Sequence, residues 1–345
     1  MIEIDGSYGE GGGQILRTSL SLSVLSQKPF RIFNIRKVRN KPGLMPQHLT
    51  AVKLAQLVSA AEVVGDYAGS TELFFSPQGI RGGDVSYDIR TAGSTSLVFQ
   101  TLIPALIFGN EKRQIILRGG THVPYSPSFQ YLQEVFAPLL LMLGIRVEFR
   151  VRSYGFYPRG GGEIIADVYP TKRVDPLRLL DRGKITRAVG YSAVGNLPLS
   201  IAERQKDAVL TRISESLGPL PYRVSITILD VHALGKGTFV FLRMESEHSV
   251  AGFTALGARG KRAEEVGAEA AVELVRYYNS GAAVDRHLAD QIILYLSLSD
   301  GESEFSVSSI SQHLLTNLWV IGKFRNFSFR VDGQIGEMGR VRINP

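Results

Sequence analysis

The chain of 345 residues contains no cysteine, which excludes disulfides, thiolate zinc sites and a cysteine nucleophile. It also lacks a long apolar run. Its most hydrophobic stretches, residues 97–108 and 136–145, fall short of the ~20 residues that a membrane-spanning helix needs. The opening MIEIDGSYGEGGG has no basic region followed by an apolar one, as a targeting leader would. The expectation is therefore a cytoplasmic protein with no membrane partner. Histidine is scarce, with six residues and no H-x-x-x-H pair, so histidine-pair metal ligation has little support. Thirty-nine basic residues against 32 acidic ones leave a net charge of only +7, a leaning toward polyanionic partners. At 44% hydrophobic and 21% charged residues, the composition is that of a folded chain, and the length allows roughly two domains.

Glycine, by contrast, is plentiful: 36 residues, where average usage of ~7% would give about 24. The excess is clustered at Gly9–Gly13 (GEGGG), Gly82–Gly83, Gly93, Gly119–Gly120, Gly160–Gly162 (RGGGE) and Gly257–Gly260. After the first cluster, Leu16, Leu20 and Val24 recur at helical spacing, which predicts a helix over 14–25. A strand over 30–35, a helix over 47–61 opened by Pro46, and strands near 73–76 and 85–89 follow. The same order returns: helix 95–108, strand 114–117, helix 129–143, strands 146–152 and 163–168. A third round has helix 287–296, strand 304–307, helix 310–320, and strands 326–331 and 339–343. A unit that recurs every ~80 residues points to a repeat architecture. Residues 183–279 break the period with strand 188–193, helix 199–217, strands 222–231 and 237–244, and helix 262–278. The expected fold is α+β: three helix–strand–helix–strand–strand repeats in residues 1–182 plus 280–345, with a smaller α+β domain of residues 183–279 inserted into the third.

Several residues stand out for their chemistry. In DGSYGEGGGQILR (Asp5–Arg17), glycines open a helix, which lets backbone N–H groups approach an anion. No Gly-Lys-Ser/Thr follows, so this is not a P-loop. Glu10 could hold a divalent cation that bridges phosphates, and Gln14 and Arg17 lie three apart on one helical face; the plainer reading is a tight turn with a solvated glutamate. Arg31, Arg36, Lys37, Arg39 and Lys41 form an acid-free basic run before Gln47 and His48 at a helix start, a composition suited to phosphates. A solvated basic edge is the alternative. His313 shares a polar helix face with Thr316 and Asn317. It is either a structural histidine or a nucleophile toward phosphorus, since a neutral imidazole attacks well near pH 7. His287, Asp290 and Gln291 fall at i, i+3 and i+4, on one helix face.

Together these segments resemble the RNA 3′-terminal phosphate cyclases. DGSYGEGGGQILR, KPGLMPQH, TAGSTSLVFQ, GGT (Gly119–Thr121), FYPRGGGE, HLADQ and SQHLLTN occur in that family's order over nearly the whole chain. The resemblance implies an α+β fold of three βαβαββ-type repeats with an inserted α+β domain, the repeat unit shared with enolpyruvyl transferases. It also implies ATP-dependent conversion of an RNA 3′-phosphate to a 2′,3′-cyclic phosphate, with His313 as the nucleophile that takes AMP. In that scheme Glu10 holds Mg²⁺ or Mn²⁺, Arg17, Arg39, Gln47, His48 and Gln100 face phosphates, and Asp290 either orients His313 or shares in metal binding. Gln14, Gln100, Asp290 and Gln291 line the nucleotide. His287 takes the place of the family's adenine-stacking aromatic residue, and Pro127 covers the other face. The partners implied are ATP and RNA ending in a 3′-phosphate. Alternatives are a cyclase-like branch of ribosomal RNA maturation, which lacks the histidine, an enolpyruvyl transferase, or an RNA-binding module that uses the basic run alone.

Overall fold

A computed structural model describes residues 1–345. The first unit runs β1 (Ile2–Asp5), α1 (Gly13–Ser26), β2 (Phe30–Phe33), α2 (Pro46–Ser59), β3 (Glu62–Val64) and β4 (Leu73–Ser76). The second runs β5 (Val85–Asp88), α3 (Thr95–Leu106) and β6 (Arg113–Gly119). It continues through α4 (Phe129–Tyr131), a π-helical segment (Leu132–Phe136) and α5 (Ala137–Met142), and ends in β7 (Val147–Ser153) and β8 (Gly162–Val168). The third opens with β9 (Arg178–Leu179) and is then interrupted by β10 (Ile185–Gly195), α6 (Leu199–Leu217), β11 (Val224–Asp230), β12 (Gly237–Ser246), β13 (Val250–Leu256) and α7 (Ala263–Ser280). It resumes with α8 (Arg286–Leu296), β14 (Ser303–Val307), α9 (Gln312–Phe324), β15 (Ser328–Asp332) and β16 (Gly339–Asn344).

The strand orders make the repeat explicit. They are β1-β2-β4-β3, β5-β6-β8-β7 and β9-β14-β16-β15. In each sheet the first two strands are parallel and the later pairings antiparallel. The same βαβαββ unit is thus built three times, as the glycine-punctuated pattern suggests.

The differences from the sequence reading concern partners and short strands. Val85–Asp88 opens the second sheet by pairing with β6 and does not close the first. The strand that flanks β4 is the three-residue β3, too short to carry a period. β1 and β9, of four and two residues, escape notice for the same reason. In the insert β13, VAGFTAL, is hidden by small residues that mask its alternation.

Helices fill the centre and sheets cover them. α1 packs against α2, α3 and α9, and α8 against α3 and α9. Serine and threonine on α1 permit this crowding because, Ser19 apart, their hydroxyls find partners inside. Ser21 Oγ donates to the Thr101 carbonyl at 2.8 Å, and Thr18 Oγ1 to Asn317 Oδ1 at 2.7 Å. One apolar core runs through all three units, with Phe30, Phe75, Phe99, Phe136 and Tyr295 fully buried. On the face of β8 turned away from the helices, Asp167 receives Lys112 and Arg150, and Glu163 receives Arg118 and Arg152.

The inserted segment makes its own sheet, β11-β10-β12-β13. One face joins α6 and α7 in a separate core. The other docks on the second unit, where Phe239 stacks on His122 with ring centroids 4.1 Å apart.

Candidate functional site

Three helix N-termini meet at one place. The glycine loop before α1 carries Glu10, α1 carries Gln14 and Arg17 in its first turns, α2 begins beside His48, and α9 begins beside His313. Helix N-termini present unpaired N–H groups and positive dipole ends, so such a meeting point favours an anion.

Glycine is what permits the approach. At Gly9 (φ +58°) a Cβ would stand 2.5 Å from Thr316 Oγ1 on α9, and at Gly13 one would stand 2.2 Å from His48 Nε2. The loop can lie against both helices only without side chains there. Beside it, Tyr8 stacks on Trp319 with centroids 4.0 Å apart and planes at 9°.

Glu10 Oε2 lies 3.4 Å from His313 Nδ1 and 3.5 Å from Arg39 Nη2. Gln14 Nε2 donates to the His313 carbonyl at 3.4 Å. Burial lowers the pKa of His313; the Glu10 carboxylate opposes that shift, and Arg17 and Arg39 add to it. The ring is neutral at pH 7. A carboxylate beside Nδ1 favours the tautomer with its proton there, which leaves the Nε2 lone pair free.

Arg17 has no carboxylate or carbonyl partner, and burial alone lowers its pKa to about 10. It remains charged, an unmatched cation among helix N-termini. His48 is buried, and its Nδ1 accepts the Met45 N–H at 3.1 Å. Burial, then Arg17 and Arg36, push its pKa down to about 3. His48 is therefore a neutral ring with Nε2–H turned toward Gly13, a hydrogen-bond donor suited to an anion.

Asp290 is tied through a serine to α9, the helix that carries His313. Its Oδ1 accepts from Ser311 Oγ, and Ser311 Oγ in turn caps α9 by accepting the Leu314 N–H at 2.9 Å. Asn317 Nδ2 donates to the Asp290 carbonyl at 2.7 Å. Desolvation raises the Asp290 carboxyl to about 8, with the Ser311 hydrogen bond opposing, so it carries a proton at neutral pH. On the same helix Gln291 Nε2 donates to the His287 carbonyl at 3.0 Å, while its buried Oε1 has no partner. His287 Nε2 accepts from Arg286 Nε at 3.2 Å.

The basic run divides. Arg39 joins Glu10, but Arg31 pairs with Glu3 and Glu72 on the outer sheet, and Arg36 donates to the Lys41 and Gly43 carbonyls. Gln47 is half-buried in the first turn of α2, and Gln100 half-buried on α3. Pro127 is half-buried in the loop before α4, next to the Ser128–Thr254 hydroxyl contact of 2.9 Å. None of these three joins the hydrogen bonds that tie the cluster together. Ser311 is the residue the sequence reading missed; a serine directly before an apolar-periodic run is an N-cap signal that can find it.

A hard cation such as Mg²⁺ is commonly held by one or two carboxylates plus substrate phosphates. Glu10 Oε1 makes no ion pair or hydrogen bond, so one carboxylate oxygen is available for that pattern. No group of three or more Asp, Glu or His side chains forms a protein-only cage.

Comparison with known proteins identifies the family. The family described as RNA 3′-terminal phosphate cyclase matches residues 8–331. The RNA 3′-terminal phosphate cyclase of Sulfolobus acidocaldarius is 45% identical over 99% of this chain and 100% of its own. That of Thermococcus kodakarensis is 43% identical over 99% of this chain and 98% of its own, and that of Methanopyrus kandleri 43% over 100% and 99%. Among solved structures, EPSP synthase from Acinetobacter baumannii aligns with 99% of this chain and 64% of its own, at TM-score 0.32 and 9% identity. That likeness is too loose to carry the fold, which rests on the strand orders.

Proposed function

The chain belongs to the RNA 3′-terminal phosphate cyclase family, and on that premise we propose how its own residues turn an RNA 3′-phosphate into a 2′,3′-cyclic phosphate at the expense of ATP. The catalytic unit comprises residues 1–182 plus 280–345. The observation that carries this reading is the meeting of Glu10, Arg17, Arg39 and His48 with the neutral ring of His313 at three helix N-termini.

The His313 Nε2 lone pair attacks the α-phosphorus of ATP. A P–N bond forms, the α–β bridging P–O bond breaks, and pyrophosphate leaves. An oxygen of the RNA 3′-phosphate then attacks the same phosphorus, the P–N bond breaks, and an RNA(3′)pp(5′)A anhydride results. The vicinal O2′ gives up its proton and bonds to the RNA phosphorus as AMP leaves. A phosphate monoester oxygen is a poor leaving group; AMP replaces it with a good one, and closure within one ribose has the advantage of proximity. Because O2′ is the attacking atom, the last sugar must be ribose.

Each residue has a part in positioning or charge neutralisation, which is most of what phosphoryl transfer asks of a protein. Arg17 supplies its unmatched charge to a phosphate, His48 its Nε2–H, and Arg39, Gln47 and Gln100 further phosphate contacts. Glu10 holds the His313 tautomer, and with phosphate oxygens it would bind Mg²⁺ or Mn²⁺, which would neutralise triphosphate charge. Asp290 is a positioning residue that fixes the start of α9 through Ser311. His287, Gln291, Gln14 and Pro127 border the nucleotide.

Incubation with ATP radiolabelled at the α-phosphate and a divalent metal is expected to place an acid-labile label on the protein, and His313→Ala is expected to abolish it. RNA ending in a 3′-phosphate should discharge the label, while RNA ending in a 3′-hydroxyl should not. A 2′-deoxy terminus should stop at the anhydride. Wild-type protein that takes no label with either metal overturns the mechanism.

A further inference from the structure

A second basic concavity lies between the second repeat and the inserted segment, a groove of about 610 Å³. Arg90, Arg118 and Arg159 line it from the repeat, and Asn196 and His232 from the insert. Arg90 and Arg159 have no carboxylate within ion-pair distance; the one polar contact of the Arg159 guanidinium is the Leu234 carbonyl at 3.4 Å. Arg118 shares Glu163 with Arg152. The single acid in the lining, Asp88, accepts the backbone N–H of Arg90 at 2.8 Å. Two free guanidiniums thus face solvent where nothing in the protein uses them.

The backbone around them is held in unusual conformations. Arg90 sits at φ +63° and Asn196 at φ +54°. An arginine in the left-handed region is uncommon and persists only where its surroundings impose it. Here the turn is fixed by the Asp88 contact and by the Ile89 N–H donating to the Arg118 carbonyl at 2.9 Å. Asn196 Nδ2 donates to the carbonyls of Ala233, 2.7 Å, and Gly235, 3.3 Å, which fixes the insert's side of the groove. In the same tight turn as Arg159, Tyr157 is 69% exposed.

The groove also connects to the catalytic cluster. Thr91 lines it, and two residues on, a Cβ placed at Gly93 would lie 3.5 Å from Gln47 Cβ. Gln47 is the neighbour of His48. The turn that carries Thr91 thus packs beside the start of α2, next to the anion site.

We propose that this groove binds the phosphodiester backbone of the RNA upstream of its 3′ end, with Tyr157 as a stacking platform for an unpaired base. The inference rests on the cyclase reading above, and it assigns the inserted segment a role as one wall of the RNA channel. Free guanidiniums interleaved with an exposed aromatic ring are the composition that single-stranded nucleic acid requires. Such contacts add affinity without sequence preference and weaken steeply with salt.

The test is the double variant Arg90→Ala/Arg159→Ala, assayed with ATP alone, with a 3′-phosphorylated dinucleotide and with a 3′-phosphorylated decamer, at several salt concentrations. Self-adenylylation and dinucleotide cyclisation are expected to match wild type, which also shows that the variant is folded. For the decamer KM should rise about tenfold with kcat unchanged, and the salt dependence of binding should flatten by about two phosphate contacts. Tyr157→Ala should raise the decamer KM and leave the salt slope as it was. Equal KM for the decamer in wild type and double variant overturns the groove while leaving the cyclase reading intact. Wild-type protein that neither adenylylates nor cyclises overturns the cyclase reading instead.

Discussion

Asp290 shows how much one side chain depends on its surroundings. An ordinary aspartate is ionised at neutral pH, but this one sits among packed helix ends with a serine hydroxyl as partner, and desolvation holds its carboxyl at about 8. The folded state therefore keeps a proton that the unfolded chain releases near pH 4. Between roughly pH 4 and 8 the native protein binds more protons, so stability falls as pH rises through that window. Asp290→Asn, which keeps the hydrogen-bonding shape and cannot titrate, should remove this loss. Urea unfolding at pH 5 and pH 9 should show the variant losing less stability than wild type. The difference should be on the order of 1–2 kcal/mol, because solvent at a half-buried group screens part of the full linkage. Identical losses in the two proteins would place the proton elsewhere. At this scale the sequence was informative about identity and silent about state. HLADQ and SQHLLTN single out Asp290 and His313, yet the Ser311 link between them joins residues 21 apart in sequence and is decided by how α8 and α9 pack.

At the scale of elements, the outer sheet faces pair charges in two different settings. On β8 the Asp167 side chain is 1% exposed and takes Lys112, Arg150 and Gln114. Glu148 on β7 pairs with Arg146 in the open, at 41% and 59% exposure. Asp167→Asn leaves two cations short of a carboxylate at a buried position and should cost roughly 1–3 kcal/mol. Glu148→Gln should cost distinctly less, since an exposed pair is screened and pays side-chain entropy. Chemical denaturation of the two variants side by side checks this, and equal costs would refute the distinction. Helices were legible wherever apolar residues recurred at helical spacing, as in α1 and α9, because most of their burial pattern is local. β1, β3 and β9 were not, because strands of two to four residues earn their place by pairing with strands remote in sequence. The same holds for β5, whose strand character is legible in the sequence but whose pairing with β6, in the second sheet, is not.

On the scale of the whole molecule, an aromatic knot is the largest apolar tie between the insert and the repeats, beside polar contacts such as Arg243–Glu134 and Ser128–Thr254. Phe239 on β12 packs on His122, Tyr154 and Phe156, and Phe156 in turn lies over Gly237. The core between α6, α7 and the insert's sheet is separate from the core shared by the three repeats. Phe239→Ala should therefore cost about 3–5 kcal/mol and uncouple the two cores. Calorimetry should resolve two thermal transitions for the variant where wild type shows one, and a single cooperative transition at lower temperature would show that other contacts hold the seam.

The sequence by itself determined that a helix–strand–helix–strand–strand unit recurs, that a glycine loop opens the first helix, and that a histidine stands near the start of a late helix, where the family resemblance makes it the candidate nucleophile. These are local properties, written in spacing and in residue type. Tertiary structure decided which charges remain free and which are spent. It sends Arg31 to the outer sheet and Arg39 to Glu10, leaves Arg17 without a partner, and keeps His48 and His313 neutral. Ionisation and pairing depend on desolvation and on neighbours hundreds of residues away, and only the packed chain brings those neighbours within reach.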